Sequence, residues 1–479
     1  MTKLKLAPRI APPGSFRRGV SVLAGGTAAS QILLFAAAPI LTRLYSPDDF
    51  GLLAIYAALL GIGGVVVSLR YQLAIPLPES DQEAAWVALA ALAGVMGTVL
   101  MSTVIVALFR APIARGLGAP ELGPFLWLLP VGLLALGTYQ VFKYWAIRKQ
   151  EFGPIARSKI TQSVTAIALQ LGLFSFGPFA LLLGQAAGHG AGGGRLARSA
   201  RAGSGHLFRN TAIRDIWAAA VRYRRFPLYS TWGAVFNKAG GQLPPILFAS
   251  LFSPAAAGIY FLTHRVLALP MQFIGRAISD VFLTRAAKAR HDGDLPQLIK
   301  LAHNRLTYIA VPPTILLILA GPDLFALVFG SAWREAGVFA RWMAPWIYLV
   351  FVTSPLTTVF SVLEKQGQEM LFQFALLAAR IGALFIGYRI GTLQAAVALF
   401  AGVSALYWVV LLLWVVSATG NQWQTAARST GNAMIWAVPI FIPFVAVLIL
   451  GGEGITWILG LTATGFVGGL RYYGLVKTV

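Results

Sequence analysis

The chain has 479 residues, of which 57% are hydrophobic and only 11% are charged, and its mean hydropathy is +0.73. Soluble proteins contain roughly 25% charged residues, so this composition excludes a water-soluble globule and indicates a membrane protein. The net charge of +22 is concentrated in a few short segments, which argues against a nucleic-acid-binding protein. The chain has no cysteine, which excludes disulfide bonds and thiolate chemistry.

Fourteen stretches are long and apolar enough to cross a bilayer, since a membrane helix needs roughly 20 apolar residues. The sixth stretch contains GQAAGHGAGGG and is short and rich in glycine, so a count of twelve or thirteen stays open. The first stretch is too long for a signal peptide. The predicted spans lie approximately at 20–42, 51–75, 84–109, 122–144, 155–175, 177–194, 227–251, 257–284, 306–328, 338–362, 370–390, 393–416, 431–450 and 455–474.

The predicted fold class is an all-α polytopic membrane protein with two six-helix bundles, related as a parallel repeat, and two further C-terminal helices. The N-terminal bundle is expected over residues 1–194 and the C-terminal bundle over residues 227–417, with the two additional helices over 418–479. A basic cytoplasmic linker is expected over 195–226. It is predicted to be solvated, with contact to anionic lipid headgroups as a further alternative.

The distribution of lysine and arginine predicts the orientation of the chain. With the N-terminus inside, 27 of the 38 basic residues lie in inside segments and six lie in outside loops. Both termini are therefore expected in the cytoplasm. One inside loop, PLPESDQEA at 76–84, is acidic and departs from the pattern. The segment 285–305 is expected to form a short helix at the cytoplasmic surface.

A short sequence motif occurs twice in the chain. PILTRLYSPDDFGL at 39–52 aligns with PILFASLFSPAAAGI at 245–259, with one inserted residue. In both copies a Ser-Pro pair predicts a helix start, because serine caps the first turn and proline suits its first position. Each copy follows an odd-numbered predicted span, so both turns are expected on the outside, as in a parallel repeat.

Only the first copy carries acids. Asp48 and Asp49 follow its Ser-Pro pair, where a negative charge is stabilised by the positive end of the helix dipole. A contact with Arg43, or a part in a gate, is the functional alternative for the two carboxylates.

Several cations lie within predicted spans, where ionisable residues are costly and mark functional sites. The spans offer almost no acid to pair with them, apart from Asp280, which lies four residues after Arg276. Unpaired cations predict a water-filled central cavity that binds an anion, and the arginine fork suits phosphate. The predicted substrate-binding residues are Lys238, Arg265, Arg276 and Arg380.

Other functional motifs are absent from the sequence. There is no G-x-x-x-x-G-K-[ST] loop, so the chain is not expected to hydrolyse ATP. The five histidines are scattered without metal-ligand spacing, and solvated or interfacial positions are expected for most of them. His264, beside Arg265, is the exception and joins Asp280, Asp48 and Asp49 as a candidate for an ion pair or gate. Neither a metal nor another cofactor is predicted, and the chain is not expected to be an enzyme.

The segments LTRLYSPDDFGLLAIY, LRYQLAIPLPESDQEA and FGSAWREAG resemble the bacterial O-antigen/oligosaccharide-lipid flippases. These are the polysaccharide biosynthesis proteins of the multidrug/oligosaccharidyl-lipid/polysaccharide exporter superfamily. The resemblance covers about residues 15–475, and it includes Arg70-Tyr71 at the end of the second span and Trp333 in an outside loop. The family usually has a glutamate where this chain has Gln72, so a carboxylate role at that position is not carried over.

The resemblance implies a flippase of the bacterial inner membrane. It implies alternating access for an undecaprenyl-diphosphate-linked oligosaccharide, moved from the cytoplasmic to the outer leaflet for surface polysaccharide synthesis (O-antigen, capsule or exopolysaccharide). The expected partners are this substrate and membrane lipids, with polysaccharide polymerase machinery as a candidate contact and no nucleic acid. The coupling ion, H⁺ or Na⁺, stays open.

Two alternatives remain. A drug/cation antiporter of the same superfamily would need interior carboxylates, which the predicted spans nearly lack. A membrane-embedded glycosyltransferase or polymerase would need a sizeable loop carrying acids, and no predicted outside loop is long enough for one.

Overall fold

A computed structural model describes residues 16–209, 211–269, 271, 282, 285–286, 288–290, 292–363, 365–450 and 454–478. Throughout these residues the regular secondary structure is helical, and they contain no strand. The predicted all-helical fold class is therefore confirmed. By their internal contacts the residues fall into two compact units, Met1–Phe261 and Leu262–Val479. The division into two bundles, a linker and two extra helices stays a prediction.

The first unit contains eight complete α-helices within its described residues, and a ninth begins there. Two pairs of them, α1 with α5 and α4 with α6, pack along much of their length. The helices are α1 (Phe16–Leu44), α2 (Pro47–Val66), α3 (Asp81–Gly116), α4 (Leu128–Arg148), α5 (Phe152–Gly172), α6 (Pro178–Arg209), α7 (Ile213–Arg222), α8 (Thr231–Leu251) and α9 (Pro254–Leu267).

The second unit packs its long helices mainly between neighbours in the chain. These are α10 (Leu295–Phe329), α11 (Arg334–Thr353), the short α12 (Val359–Val362), α13 (Gln366–Ile390), α14 (Leu393–Ala418), α15 (Trp423–Ile449) and α16 (Ile455–Thr478). The surface helix predicted over 285–305 is wrong for its second half, because α10 continues from Leu295 for 35 residues. That length corresponds to about 52 Å, enough to cross the hydrocarbon core and extend beyond it.

Eight helical segments of the described residues are long and apolar enough to span a membrane. The chain is thus a multi-pass membrane protein, as its composition predicts, and the count of fourteen spans stays a prediction. The eight are Ser21–Leu44, Pro47–Val66, Asp81–Gly116, Leu295–Phe329, Ser331–Thr358, Leu371–Ile390, Leu393–Ala418 and Trp423–Ile449.

The glycine-rich sixth stretch is a packed helix, α6. A Cβ atom added at Gly184 would lie 2.7 Å from the side chain of Gln170, and one added at Gly188 would lie 2.8 Å from the carbonyl oxygen of Gln162. Small residues at this spacing let two membrane helices approach closely, here α6 and α5. The helix continues past this stretch to a kink at Ser204, whose φ of −143° is not helical, and a further short helical piece ends at Arg209. The first half of the predicted linker is therefore mostly helical.

The acidic loop at 76–84, which is predicted to lie inside, is held by basic side chains of its own unit. Asp81 accepts from Arg148 Nε at 2.8 Å and from Lys149 Nζ at 2.5 Å, and Arg148 also donates to the carbonyl of Pro78 at 2.7 Å. Glu83 pairs with Arg222 Nη1 at 2.8 Å. Its acidic residues thus form ion pairs with the basic residues at the ends of α4 and α7, which accounts for a loop that carries acids where the sequence pattern predicts bases.

The predicted linker contains an amphipathic helix, α7. Ile213, Trp217 and Val221 follow one another at four-residue intervals and expose their apolar side chains, with Trp217 71% exposed. Arg214 and Arg222 are also exposed on this helix. An exposed apolar face on a basic helix is typical of helices that lie in the membrane interface. Lipid contact by this segment stays a prediction.

Candidate transport site and outer turn

Both copies of the repeated turn start a helix as predicted. Ser46 Oγ accepts from the backbone N–H of Asp49, and Ser253 Oγ accepts from that of Ala256, each at 3.2 Å. Pro47 is the first residue of α2 and Pro254 is the first residue of α9. The predicted Ser-Pro helix starts are confirmed in both places.

The glycine at the end of each copy makes a reciprocal contact. A Cβ atom on Gly51 would lie 1.9 Å from the carbonyl oxygen of Pro254, and one on Gly258 would lie 2.0 Å from that of Pro47. Each glycine is therefore in close contact with the backbone of the other copy, and a larger residue would not fit at either position. This exchange is the contact expected of two equivalent elements related by an approximate two-fold axis. It brings both turns to one end of the first unit, which supports the predicted parallel repeat.

The two acids of the first copy have different surroundings. Asp49 completes a capping box, because its Oδ2 accepts from the backbone N–H and from the hydroxyl of Ser46, each at 2.9 Å. Asp48 is exposed. Arg43 donates to the carbonyl of Pro39 at 2.9 Å. Helix capping therefore accounts for Asp49, while a part in a gate stays a prediction for both carboxylates.

Lys238 lies on α8 where that helix packs against α2. Its side chain is exposed, and its Cε would lie 3.4 Å from a Cβ added at Gly61. The side-chain nitrogen of Gln242, one turn along α8, would lie 3.2 Å from the same added atom. Because Gly61 has no side chain, there is space on this face of α2 for the side chains of Lys238 and Gln242 to lie next to each other.

Arg380, on α13, is surrounded by aromatic rings. Its guanidinium carbon lies 4.7 Å from the ring centre of Trp346 and 5.3 Å from that of Phe400. Its Nε donates to Ser404 Oγ at 2.9 Å, and that hydroxyl donates to the carbonyl of Phe400 at 2.7 Å. Ring faces attract a cation electrostatically, so α11 and α14 hold the charge of Arg380 in one position.

His264 approaches the same aromatic group from α9. Its ring centre lies 6.0 Å from that of Trp346, so His264 and Arg380 both contact this tryptophan. Arg265 is the next residue and is half-buried. The structure therefore brings His264 and Arg380 together in the second unit. Arg276 and Asp280 lie outside the described residues, and their predicted pairing is not tested.

A buried polar network at the end of α2 was not anticipated. Leu69 and Arg70 both adopt left-handed backbone conformations, with φ of 49° and 63°, and Gln72 behind them is 4% exposed. Gln72 accepts from Ser68 and donates to Gln140 at 3.4 Å, and Gln140 donates to a backbone carbonyl of α2 at 2.9 Å.

Adjacent left-handed residues other than glycine store strain, which clusters at functional sites. Gln72, at a position where the family resemblance implies a glutamate, was the available signal in the sequence. Within the described residues no group of three or more histidines and acids is arranged to hold a metal ion.

A helical multi-pass membrane protein with a repeated turn and cations inside its spans belongs to the class of membrane transport proteins. The particular family is that of the polysaccharide biosynthesis proteins, to which the chain belongs, because the family profile matches residues 40–337, more than half of its length.

Relatives agree with this membership. The succinoglycan biosynthesis transport protein ExoT of Rhizobium meliloti is 26% identical over 409 residues, which cover 82% of this chain and 76% of the relative. The fold is similar to that of a lipid II flippase, MurJ, in an inward closed conformation, with a TM-score of 0.73 and 13% identity over 95% of this chain and all of the other. An inward-facing multidrug resistance MATE family transporter of the MOP superfamily gives a TM-score of 0.58 with 16% identity, over 83% and 94% of the two chains. These relatives are transport proteins, which agrees with the prediction that the chain is not an enzyme.

Proposed function

We propose that this protein translocates a polyprenyl-diphosphate-linked oligosaccharide from the cytoplasmic to the outer leaflet of the bacterial inner membrane, for the synthesis of a surface polysaccharide. Family membership, a relative named for succinoglycan transport and a fold similar to that of a lipid II flippase support this substrate class. Both termini would face the cytoplasm, as the distribution of basic residues predicts.

The observation that carries the proposal is the chemistry of the intramembrane polar groups. Lys238 and Gln242 lie beside Gly61 in the first unit, and Arg380 is fixed between two rings in the second. A lysine and an arginine within membrane helices suit an anionic substrate, and the diphosphate is the anionic part of the proposed one. In our proposal Lys238, Arg265, Arg276 and Arg380 bind the diphosphate, and His264 adjusts the surroundings of Arg380.

Alternating access needs a contact that closes the outer end and can open. The crossing of α2 and α9 at Gly51 and Gly258 is suited to this, because bare backbone on both sides allows close apposition without interlocking side chains. The outer turns would separate when the substrate leaves. The energy source would be a coupling ion, H⁺ or Na⁺, or the gradient of the substrate itself.

Reconstitution tests the proposal. The full chain is placed in proteoliposomes with a fluorescent diphosphate-linked glycolipid and no sugar donor, and a membrane-impermeant quencher reports movement between leaflets. Lys238→Ala should lower the transport rate about tenfold or more, because it removes a charge-assisted contact. Arg110→Gln, an exposed arginine on α3, is the matched control and should transport normally.

Three results would contradict the proposal. Wild-type rates in Lys238→Ala would remove Lys238 from the site. A lengthened glycan would indicate a glycosyltransferase or polymerase. Transport of cationic drugs with no movement of the glycolipid would favour the antiporter of the same superfamily.

A further inference from the structure

A cleft separates the first turns of α10 and α15 in the second unit. Its volume is about 460 Å³, and polar side chains of both helices line it. Those side chains are Gln297, Lys300 and Asn304 of α10, and Thr425, Arg428 and Asn432 of α15. We call it the α10–α15 cleft.

The cleft is built from two matching stripes. On α10 the lining residues fall at 297, 300, 301 and 304, and on α15 they fall at 425, 428, 429 and 432. Both sets follow the i, i+3, i+4, i+7 spacing that places residues on one face of a helix. In most membrane helices this spacing carries the apolar contact, whereas here, apart from Leu301, it carries amides, hydroxyls and two cations. The polar faces of the two helices therefore face each other across open space.

The cleft is positively charged. Lys300 and Arg428 contribute a cation from each side, and no acid is among the residues that line it. Within the described part of the chain neither cation makes a salt bridge. Asp292 and Asp294 line a neighbouring groove, where Arg285 and Lys288 balance them. Two unpaired cations across a gap repel each other, so an anion between them would stabilise the arrangement.

A buried histidine lies behind the cleft. His303 is 2% exposed, and among the described residues its Nε2 atom has no hydrogen-bond partner. A second, small pocket of about 10 Å³ is lined by His303 and shares Lys300, Thr425 and Ser429 with the cleft. This volume is at the lower limit for one water molecule, so an anion would remain in the wide part and reach His303 through water. The sequence predicted a solvated or interfacial histidine, and the structure instead buries its ring at the back of a cationic cleft.

Aromatic residues mark the depth of the cleft. Tyr308 of α10 and Trp436 of α15 contact each other edge to face, with ring centres 5.4 Å apart, and Tyr472 of α16 lies 5.3 Å from Trp436. Tyrosine and tryptophan concentrate at the level of lipid headgroups. Lys300 and Arg428 each precede the aromatic residue of their own helix by eight positions, or about 12 Å. Just beyond the rings, Val311 and Ala437 belong to an apolar cluster with Ile440 and Phe441, so the polar cleft lies on the other side of the rings from most of this cluster.

From this geometry we infer that the α10–α15 cleft binds a phosphate ester, held between Lys300 and Arg428. The arginine fork and the lysine ammonium both bind phosphate oxygens, and the amides of Gln297, Asn304 and Asn432 supply further donors. Basic pockets between membrane helices at the headgroup level bind anionic lipid headgroups, so a phospholipid is the first source to test. A soluble phosphate ester has the same chemistry and is the second. The inference does not depend on the proposed transport activity.

Binding is measured on the full purified chain in a zwitterionic detergent. The probes are a fluorescent short-chain phosphatidylglycerol, the matching phosphatidylcholine, and glycerol 3-phosphate as competitor. The double substitution Lys300→Gln with Arg428→Gln should weaken phosphatidylglycerol binding roughly thirtyfold, and each single substitution roughly fivefold. Lys300→Arg keeps the charge and should bind within about threefold of wild type. Arg305→Gln, an exposed α10 residue that does not line the cleft, should bind as wild type does.

The outcomes separate the two sources. Displacement by glycerol 3-phosphate at the concentration of the lipid itself supports the site with a soluble ester, and displacement only at far higher concentration supports it with a lipid. Wild-type affinity in the double variant, or equal binding of phosphatidylcholine, would overturn the inference. Thermal unfolding in the same detergent identifies a folding defect, in which case the single variants and Lys300→Arg decide.

Discussion

The two repeated turns, Ser46–Gly51 and Ser253–Gly258, have similar backbone features and differ in their side chains. Each starts a helix with a serine cap and a proline, and each uses its glycine to receive the other. The third helical position differs: Asp49 is partly exposed, whereas Ala256 is completely buried. Burial at the third position explains why Asp49 has no acidic counterpart in the second copy, whereas Ala255, the counterpart of Asp48, is partly exposed. The serine, proline and glycine that form the helix start and the backbone contact are thus the same in both copies, whereas the residue at the third helical position differs.

The strongest test of this difference in burial is to place an acid at the third helical position of the second turn, as in the first. Ala256→Asp would place a carboxylate at a fully buried position and should lower the free energy of unfolding by about 3 kcal/mol or more. Ala255→Asp, one residue earlier and partly exposed, is the control and should change it little. Unfolding in detergent checks both, and equal effects would contradict the role assigned to burial.

The reciprocal glycine contact predicts equal sensitivity on the two sides. Gly51→Ala and Gly258→Ala would each force a methyl group into a backbone carbonyl and should each cost about 1–3 kcal/mol of stability. Gly97→Ala, on α3 with open space around it, should be neutral or slightly stabilising. Thermal unfolding of the three variants tests this. A large effect on one side alone would show that the contact is not reciprocal.

Removal of the two serine caps should lower the free energy of unfolding by smaller amounts, and the two losses should differ. Ser46→Ala removes the capping bond and the hydroxyl contact with Asp49, whereas Ser253→Ala removes the capping bond alone. Losses of about 1–2 kcal/mol and about 1 kcal/mol respectively are expected. Urea unfolding of the two variants gives the difference, and a larger loss at Ser253 would contradict the capping-box interpretation.

The smallest effect is expected at Asp48. Its exposed carboxylate interacts with the dipole of α2, so Asp48→Asn should cost only about 0.3–1 kcal/mol, and less at high salt. Transport by the same variant separates capping from gating. Normal transport leaves only the helix-dipole role, whereas a clear loss of transport would establish a gate function that stability does not explain.

Periodicity and local chemistry predicted a large part of the fold. Most of the predicted apolar stretches lie in long helices of the described residues, and both Ser-Pro pairs start a helix, because these features depend on neighbours in the chain. The predicted span 51–75 is too long, since α2 ends at Val66, and most of the second half of the predicted span 257–284 lies outside the described residues. The surface helix over 285–305 was the exception: its second half continues into α10, since no local signal distinguishes a surface turn from the start of a long membrane helix.

The candidate site was less accessible to sequence reasoning. The sequence identified Lys238 and Arg380 as cations within spans, but not Gly61 beside one or Trp346 beside the other. The network through Gln72 and Gln140 joins residues 68 positions apart and has no local pattern. Such partners are set by helix packing, which brings together residues that the sequence keeps far apart.

The sequence by itself determined that the chain crosses a membrane repeatedly and which residues start the two repeated turns, and it predicted which cations lie within the spans. Hydropathy, helix capping and charge depend on a few neighbouring residues, so they can be recognised in the sequence without knowledge of the fold. Tertiary structure alone decided that the two turns meet glycine to carbonyl, that Ala256 is buried where Asp49 is not, and that two polar stripes face each other across a cleft. These facts depend on which helix faces lie against one another, and the pairing of faces is a property of the packed molecule.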